Sequence, residues 1–300
     1  MNFSWRPFAA PCKPMYRVVV VGGIALDITG APNGIFRLRD SNIGQVRIGV
    51  GGVGHNIAKN LKEYPDLEVS LITAMGSDDW VAMVQTDCQR LGISLEDSMQ
   101  ALGPTATYLN LLDDEGDMLA AISDMDIILK LSPAFLAGKL EKINQADYCV
   151  LDANLAPETL SYLLENVTCP IFYEPVSCAK AERIGPHIGK CHTVKPNRYE
   201  AALLSGCNCD TLRGVYRAAD WFLNQGVQRI FISLGAEGVY WADHQGCGHI
   251  PAEEITLVDT TGAGDAMAAG IIYGSLTGAA TEECAILGNH ASALVCARLD

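Results

Sequence analysis

Val258-Asp259-Thr260-Thr261-Gly262-Ala263-Gly264-Asp265-Ala266-Met267 is the stretch from which the rest of the chain is read. Thr256-Leu257-Val258 reads as the end of a strand, and the run of Ala, Met and Ile residues from Ala263 onward reads as an apolar helix. The turn between them carries two glycines and no bulky side chain. Such a turn bares the N–H groups of the first helical turn, which with the helix dipole make an anion site. Gly262 and Gly264 let an anion approach the backbone closely. Asp265 falls in the same first turn, where a carboxylate beside a phosphate is repelled unless it has a task. Taking the proton of an attacking hydroxyl is such a task. A helix-capping Asp is the plainer alternative.

Upstream, the pattern becomes regular after Pro133. Asp147–Asp152, Pro170–Tyr173 and Arg229–Ser233 are strand-like runs separated by helical segments. This alternation implies right-handed crossovers and a mostly parallel sheet, hence an α/β fold. Arg17–Val21 is a β-branched run ended by Gly22-Gly23 and reads as a buried first strand. Gly-x-Gly-x-x-Gly is absent there and no helix follows, which excludes an NAD-type fingerprint. Asp27 lies just past that strand, where open α/β sheets place ligand contacts, although a turn-forming Asp reads equally well. Thr29–Gly49 and the hairpin-like Thr107–Ile122 fit strands leaving the main sheet, and we assign segments of about 29–49 and 101–126 to a small β lid. Gly49-Val50-Gly51-Gly52-Val53-Gly54-His55-Asn56 precedes a helix containing Ile57, Ala58 and Leu61, so a ligand is expected to press on its backbone. Trp80–Leu91 reads as a helix stopped by Gly92. His55 reads as a solvated side chain. Asn197 and Glu200 share a helix face at spacing i, i+3 and suit a hydrated Mg²⁺ and phosphate oxygens; a capped helix explains them as well. Lys195 adds charge near phosphates or is simply solvated.

Three hundred residues, nearly half hydrophobic, suffice for a sizeable core. A net charge of −14 and a pI near 4.8 argue against general nucleic-acid or anionic-membrane binding. Eleven cysteines are scattered without paired zinc-type spacing, which favours reduced thiols and a cytoplasm-like compartment. Residues 1–15 hold three prolines and no apolar run; they read as a flexible tail, neither signal peptide nor anchor.

The Asp259–Asp265 motif, the Gly-rich Gly51–Asn56 segment and Asn197-x-x-Glu200 together resemble the ribokinase-like (PfkB-type) sugar and nucleoside kinases, over Tyr16 to about Arg298. The resemblance implies a three-layer α/β/α sandwich with ATP and Mg²⁺ as cofactors. It implies Asp265 as catalytic base and the amides of Gly262, Ala263 and Gly264 as the cradle of the transferring phosphate. It places the sugar on Asp27, Gly51, Gly52, Asn56 and Asn154. It places ATP near Asn197, Ser233, Gly235 and Gly238, the adenine near Asn289, and Mg²⁺, through water, on Glu200. Asp259 and Thr261 occupy positions where relatives bind a monovalent cation such as K⁺, a role optional in the family. Relatives continue through a further loop and helix beyond the position of Asp300, which bears on the cation site and the adenine pocket.

Ser41–Gly44, Gly51–Leu61, Thr107–Leu109, Ala121–Met125, Glu174–Ser177 and His192–Arg198 narrow the resemblance to the branch that phosphorylates the 5′-hydroxyl of pseudouridine. Glu174 stands where that branch carries Asp. A ribokinase or another nucleoside kinase is the alternative within the family, and a non-catalytic nucleotide-binding regulator the alternative outside it. Exposed lid edges are consistent with a homodimer through the lid.

Overall fold

A computed structural model describes residues 15–297. The tail expected before Tyr16 lies, but for Met15, outside the described residues. The elements in the first half of the chain are β1 (Tyr16–Val21), β2 (Ala25–Pro32), β3 (Gly44–Gly51), α1 (Val53–Leu61), β4 (Leu67–Ile72), β5 (Ala74–Met75), α2 (Trp80–Leu91), β6 (Met99–Gln100), β7 (Thr107–Leu112) and β8 (Met118–Asp124). Those in the second half are α3 (Pro133–Ala137), α4 (Leu140–Asn144), β9 (Tyr148–Asp152), α5 (Pro157–Asn166), β10 (Ile171–Glu174), α6 (Cys178–Ala181), β11 (Thr193–Val194), α7 (Arg198–Ser205), α8 (Leu212–Gln225), β12 (Arg229–Ser233), β13 (Val239–Asp243), β14 (Cys247–Ile250), α9 (Ala263–Leu276) and α10 (Thr281–Cys296).

The central sheet has eight strands in the order β14-β13-β12-β11-β10-β9-β1-β4. The six from β12 to β4 are parallel, and β13 and β14 run antiparallel at one edge. Strand periodicity divides the core in two. Val18, Val20, Tyr148, Val150, Phe172 and Phe231 face α1, α2, α9 and α10. Val19, Val21, Cys149, Leu151 and Tyr173 face α5 and α8 on the other side. Both faces of the parallel strands are covered, which is why they read as continuous apolar runs.

A second sheet, β3-β2-β7-β8, stands apart from the first. It joins residues 25–32 and 44–51 to residues 107–112 and 118–124, the two regions expected to leave the main sheet. Its two faces differ. Cross-strand partners Ile48, Ile28, Leu109 and Ile122 share one face, while Gly49, Asp27, Tyr108 and Ser123 share the other.

Two local expectations are corrected. Thr256–Val258 is not a strand: residues 251–260 are exposed and irregular, and the Val258 and Asp259 N–H groups bond the Cys296 carbonyl at the end of α10. Those N–H groups are held by the end of α10 rather than by the open edge of β14. α1 begins at Val53, four residues before Ile57, and Gly49–Gly51 closes β3.

α9 and α10 pack backbone to backbone. A Cβ on Gly270 would stand 2.7 Å from the Leu287 carbonyl oxygen and 2.8 Å from the Gly288 Cα. Gly270→Ala is therefore expected to lower stability by about 2 kcal/mol, seen as a lower urea midpoint at constant m-value. An unchanged midpoint would mean that the two helices part at no cost.

Candidate active site

A parallel sheet delivers all its carboxyl ends to one side, and here those ends carry charge. β1 is followed by Gly22-Gly23, β9 ends on Asp152, β10 ends on Glu174, and β11 is followed by Lys195. The chain order reverses at β1, which has β4 on one side and β9 on the other. At such a switch point a crevice opens. Asp152 closes its floor by accepting from the N–H of Gly23 at 2.8 Å and of Asn154 at 2.9 Å. A Cβ on Gly22 would stand 2.5 Å from Asp152 Oδ2, so the bare turn is what lets the carboxylate in.

The two glycine-rich motifs meet over this crevice. Gly52 starts α1 with φ +89°, and Gly262 starts α9 with φ +76°, both in the left-handed region that favours glycine. Asn56, in the first turn of α1, donates from Nδ2 to Asp265 Oδ2 at 3.0 Å across 209 residues of chain. Asp27 reaches the same region from β2: a Cβ on Gly51 would lie 1.9 Å from its Oδ2. Gly264 and Asp265 lie in the first turn of α9, where no carbonyl four residues back is available. The Ala263 N–H already bonds the Thr260 carbonyl at 3.2 Å.

Electrostatics follow from burial. Asp265 is 9% exposed, and desolvation pushes it up to about 7; the Asn56 hydrogen bond and the Lys195 ammonium oppose the rise, whereas Asp152 and Asp27 add to it. Burial pushes Glu174 up to about 8 against the pull of Lys195. Lys195 is buried, not solvated, with Nζ 3.0 Å from Glu174 Oε2. Burial alone would lower it, but Glu174 and Glu200 reverse the shift and hold its ammonium protonated. The same Nζ is 3.5 Å from where a Cβ on Gly264 would stand, so the ammonium sits beneath the first turn of α9.

Asn197, Glu200, Ser233, Gly235, Gly238 and Asn289 form a second group along the sheet. Asn197 caps α7 by accepting from the Tyr199 and Glu200 N–H groups, and Glu200 Oε2 returns a bond to the Asn197 N–H. The capped-helix reading therefore holds, and it is compatible with a ligand role because Glu200 is also drawn towards Lys195. The Ser233 N–H bonds the Pro196 carbonyl at 3.0 Å, and Gly235 and Gly238 shape the turn that follows. Asn289 donates to the Pro251 carbonyl at 2.9 Å, beside the place a Gly238 side chain would occupy. Asp259 and Thr261 stand outside both groups. Thr261 N and Oγ1 each donate to Asp259 Oδ1 at 2.8 Å in an exposed turn.

His55 departs from expectation. It is 1% exposed, with Nε2 2.9 Å from Asp87 Oδ2, which ties α1 to α2. Sequence reading passed over Asp152 and Lys180 and left Glu174 and Lys195 undecided; for Asp152, Glu174 and Lys195 a position at or just beyond a strand carboxyl end is the signal that finds them, whereas Lys180 on α6 carries no such signal.

With this geometry in view, comparison with known proteins is direct. A family model described as pfkB family carbohydrate kinase matches residues 15–299. The chain belongs to the pfkB family. It is 36% identical to the pseudouridine kinase of Escherichia coli K12 over 257 residues, covering 85% of this chain and 82% of that one. A sugar kinase of Clostridium perfringens superposes with a TM-score of 0.82 at 32% identity, covering 96% and 91% of the two chains. The ribokinase of Arabidopsis thaliana complexed with ribose and ATP gives 0.81 at 19% identity, with 95% and 94% covered, and supports the fold alone. The architecture is thus the expected ribokinase-like α/β sandwich, and this pfkB kinase is an ATP-dependent enzyme acting on a sugar or nucleoside hydroxyl.

Burial of Asp265 has a consequence for stability. A carboxyl whose folded-state value is raised from 3.8 to about 7 binds its proton more tightly in the folded state. Below pH 4 both states are protonated and nothing is lost; between pH 4 and 7 the folded state loses stability, by a few kcal/mol in all. Asp265→Asn should therefore match the parent chain near pH 4 and exceed it at pH 8 in chemical denaturation. Equal stability at pH 8 would place Asp265 in a hydrated environment.

Proposed function

We propose that this kinase transfers the γ-phosphoryl group of ATP to the 5′-hydroxyl of pseudouridine, with Asp265 as catalytic base. The observation that carries the reading is the Asn56–Asp265 contact, which joins the two motifs over the switch-point crevice and sets a desolvated carboxylate there. The 36% identity to a pseudouridine kinase supports the choice of acceptor.

In this reading the ribose hydroxyls lie on Asp27, Gly52 and Asn56, with Gly51 bare beneath Asp27, and Asn154 completes the acceptor site. Asp265 accepts the proton of the attacking hydroxyl, and the Asn56 amide fixes the carboxylate for that transfer. The backbone of Gly262–Gly264 and the Lys195 ammonium face the charge that spreads over the passing phosphoryl group; the Gly264 amide is the one best placed, since that of Ala263 is held within its turn. ATP extends from there along Asn197, Ser233, Gly235 and Gly238, with Asn289 at the adenine end.

The residues present fit a hydrated Mg²⁺ rather than a protein-chelated one. Among the described residues no group of three or more His, Cys, Asp or Glu side chains is arranged to hold a metal ion. Glu174 is tied through Oε2 to the Lys195 ammonium and Glu200 is nearly fully buried beside it, so both would meet an ion carried on the phosphates through its water shell. Such an ion neutralises phosphate charge. Asp259 and Thr261 bond each other, and the reading assigns no step to a monovalent cation there.

The β3-β2-β7-β8 sheet acts as the lid, its Asp27 face turned to the acceptor. Its other face leaves Val46 69% and Ile122 68% exposed, with Ile48, Leu109 and Leu111 beside them. A second copy of the chain covers this patch in the functional assembly. The ten described cysteines are free thiols, which suits a reducing, cytoplasm-like compartment.

Asp265→Asn should reduce kcat on pseudouridine by at least about 10²–10⁴-fold while ATP affinity stays within a few-fold, measured by ADP release and by calorimetry. The parent chain's kcat should fall as pH drops through about 7, where the base becomes protonated. Near-normal turnover by the variant sinks the base assignment; strongest turnover on ribose or adenosine sinks the acceptor assignment alone. Sedimentation of the parent chain should give a dimer that Ile122→Lys converts to monomer. A monomeric parent chain removes the lid interface from the reading.

A further inference from the structure

The crevice has two chemically opposite sides. One carries acceptors, Asp27 and Asp265. The other, formed by the loop after β9 and the segment after β10, carries Asn154, placed above in the acceptor site, and Lys180, which the catalytic proposal does not use. Asn154 is 1% exposed, and its Nδ2 has no hydrogen-bond partner among the described residues. That amide faces the bare turn after β1: a Cβ on Gly23 would lie 2.8 Å from Asn154 Nδ2 and 2.8 Å from Met125 Cε, so Met125 from the end of β8 walls the same space. A buried amide donor left without an acceptor is unfavourable unless a ligand completes it.

Lys180 fixes which way that amide points. Its Nζ donates to Asn154 Oδ1 at 2.7 Å, which leaves Nδ2 directed at the turn after β1 and the ammonium with further protons to give. The loop is rigid: Arg183 Nη1 donates to the carbonyls of Ala153 at 3.0 Å and Asn154 at 3.1 Å. The approach of Lys180 is also forced. Val176 has φ +68°, a left-handed conformation that a β-branched residue adopts only under constraint, and the Ser177 N–H bonds the Pro175 carbonyl at 2.7 Å across it. Strain of this kind gathers at ligand sites. It turns the chain after Glu174 so that α6 carries Lys180 back over Asn154.

We infer that Lys180 and Asn154 form a donor pair that selects acceptor substrates whose aglycone presents a ring carbonyl oxygen. The inference rests on the nucleoside reading above and deepens it. These two donors match carbonyl oxygens, as on the uracil ring of pseudouridine or uridine. An adenine that turns its amino edge to them meets donor with donor. Ribose, with no aglycone, neither gains from the pair nor is rejected by it.

The test is kcat/KM for pseudouridine, uridine, adenosine and ribose in the parent chain, Lys180→Met and Lys180→Arg, with thermal melts to confirm folding and calorimetric titration of pseudouridine. Lys180→Met keeps the length of the stem and removes the charged donor. It is expected to lose about 10- to 100-fold on pseudouridine and uridine, mainly through KM, and to change ribose less than about threefold. Lys180→Arg should retain most of the discrimination. Equal losses on every acceptor, or none on any, overturn the inference, as does a parent chain that neither binds nor phosphorylates a carbonyl-bearing nucleoside. A parent chain that favours uridine over pseudouridine, with the loss in Lys180→Met confined to the carbonyl-bearing nucleosides, sinks the pseudouridine assignment and leaves the donor pair standing.

Discussion

One buried ammonium governs the charged centre of this molecule. Lys195 lies among Glu174, Glu200 and Asp265, and Asp152 and Asp27 extend the same field. Carboxylates outnumber it, and none of those named is well hydrated. In a low-dielectric crevice that excess is unfavourable, and burial raises the proton affinity of Asp265 and Glu174. The centre is therefore built to gain positive charge. In the proposed function a cation entering with the phosphates would relieve the acidic side, while Lys195 and the first turn of α9 would receive the phosphates. A chain with net charge −14 attracts no anion from a distance. Affinity for a nucleotide must arise within this short range.

The sheet explains why these groups meet at all. They come from β9 and β10, from the turn after β11, from α7 and α9 and from the second sheet, segments spread over more than two hundred residues. Parallel strands with crossovers on both faces bring every strand's carboxyl end to one rim. The reversal at β1 then separates two adjacent ends enough to leave a crevice. Glycine does the rest where side chains would close it: Gly22 against Asp152, Gly23 against Asn154, Gly51 against Asp27.

Much of this was legible in the sequence, for reasons that differ by element. The parallel strands announced themselves because burial on both faces leaves unbroken apolar runs such as Val18–Val21. Trp80–Leu91 was bounded by its left-handed Gly92 cap. Asp265, Asn56 and Asn197 could be singled out because their glycine-rich or capped surroundings are local patterns. The burial of Lys195 and His55 could not be read, since it depends on partners far away: Glu174 for one, Asp87 for the other. Thr256–Val258 failed in the opposite sense. Its residues favour a strand, but the end of α10 took its N–H groups, and tertiary context overrode propensity.

The division of the crevice into an acceptor side and a donor side also bears on how one fold serves many substrates. In the proposed function the ribose hydroxyls lie on Asp27 and Asn56, which sit on or next to the Gly-rich segment that also starts α1. Changing them would disturb the contact with Asp265. The donor side rests on different supports, the Arg183-clamped loop and the strained turn at Val176. Neither touches Asp265, so substitutions there alter what the aglycone must look like while the proton-transfer geometry stays fixed. Catalysis and discrimination thus occupy separate supports on either side of Gly23, and a buried donor without a partner is a stronger discriminator than an added apolar contact, because the wrong ligand leaves it unpaired.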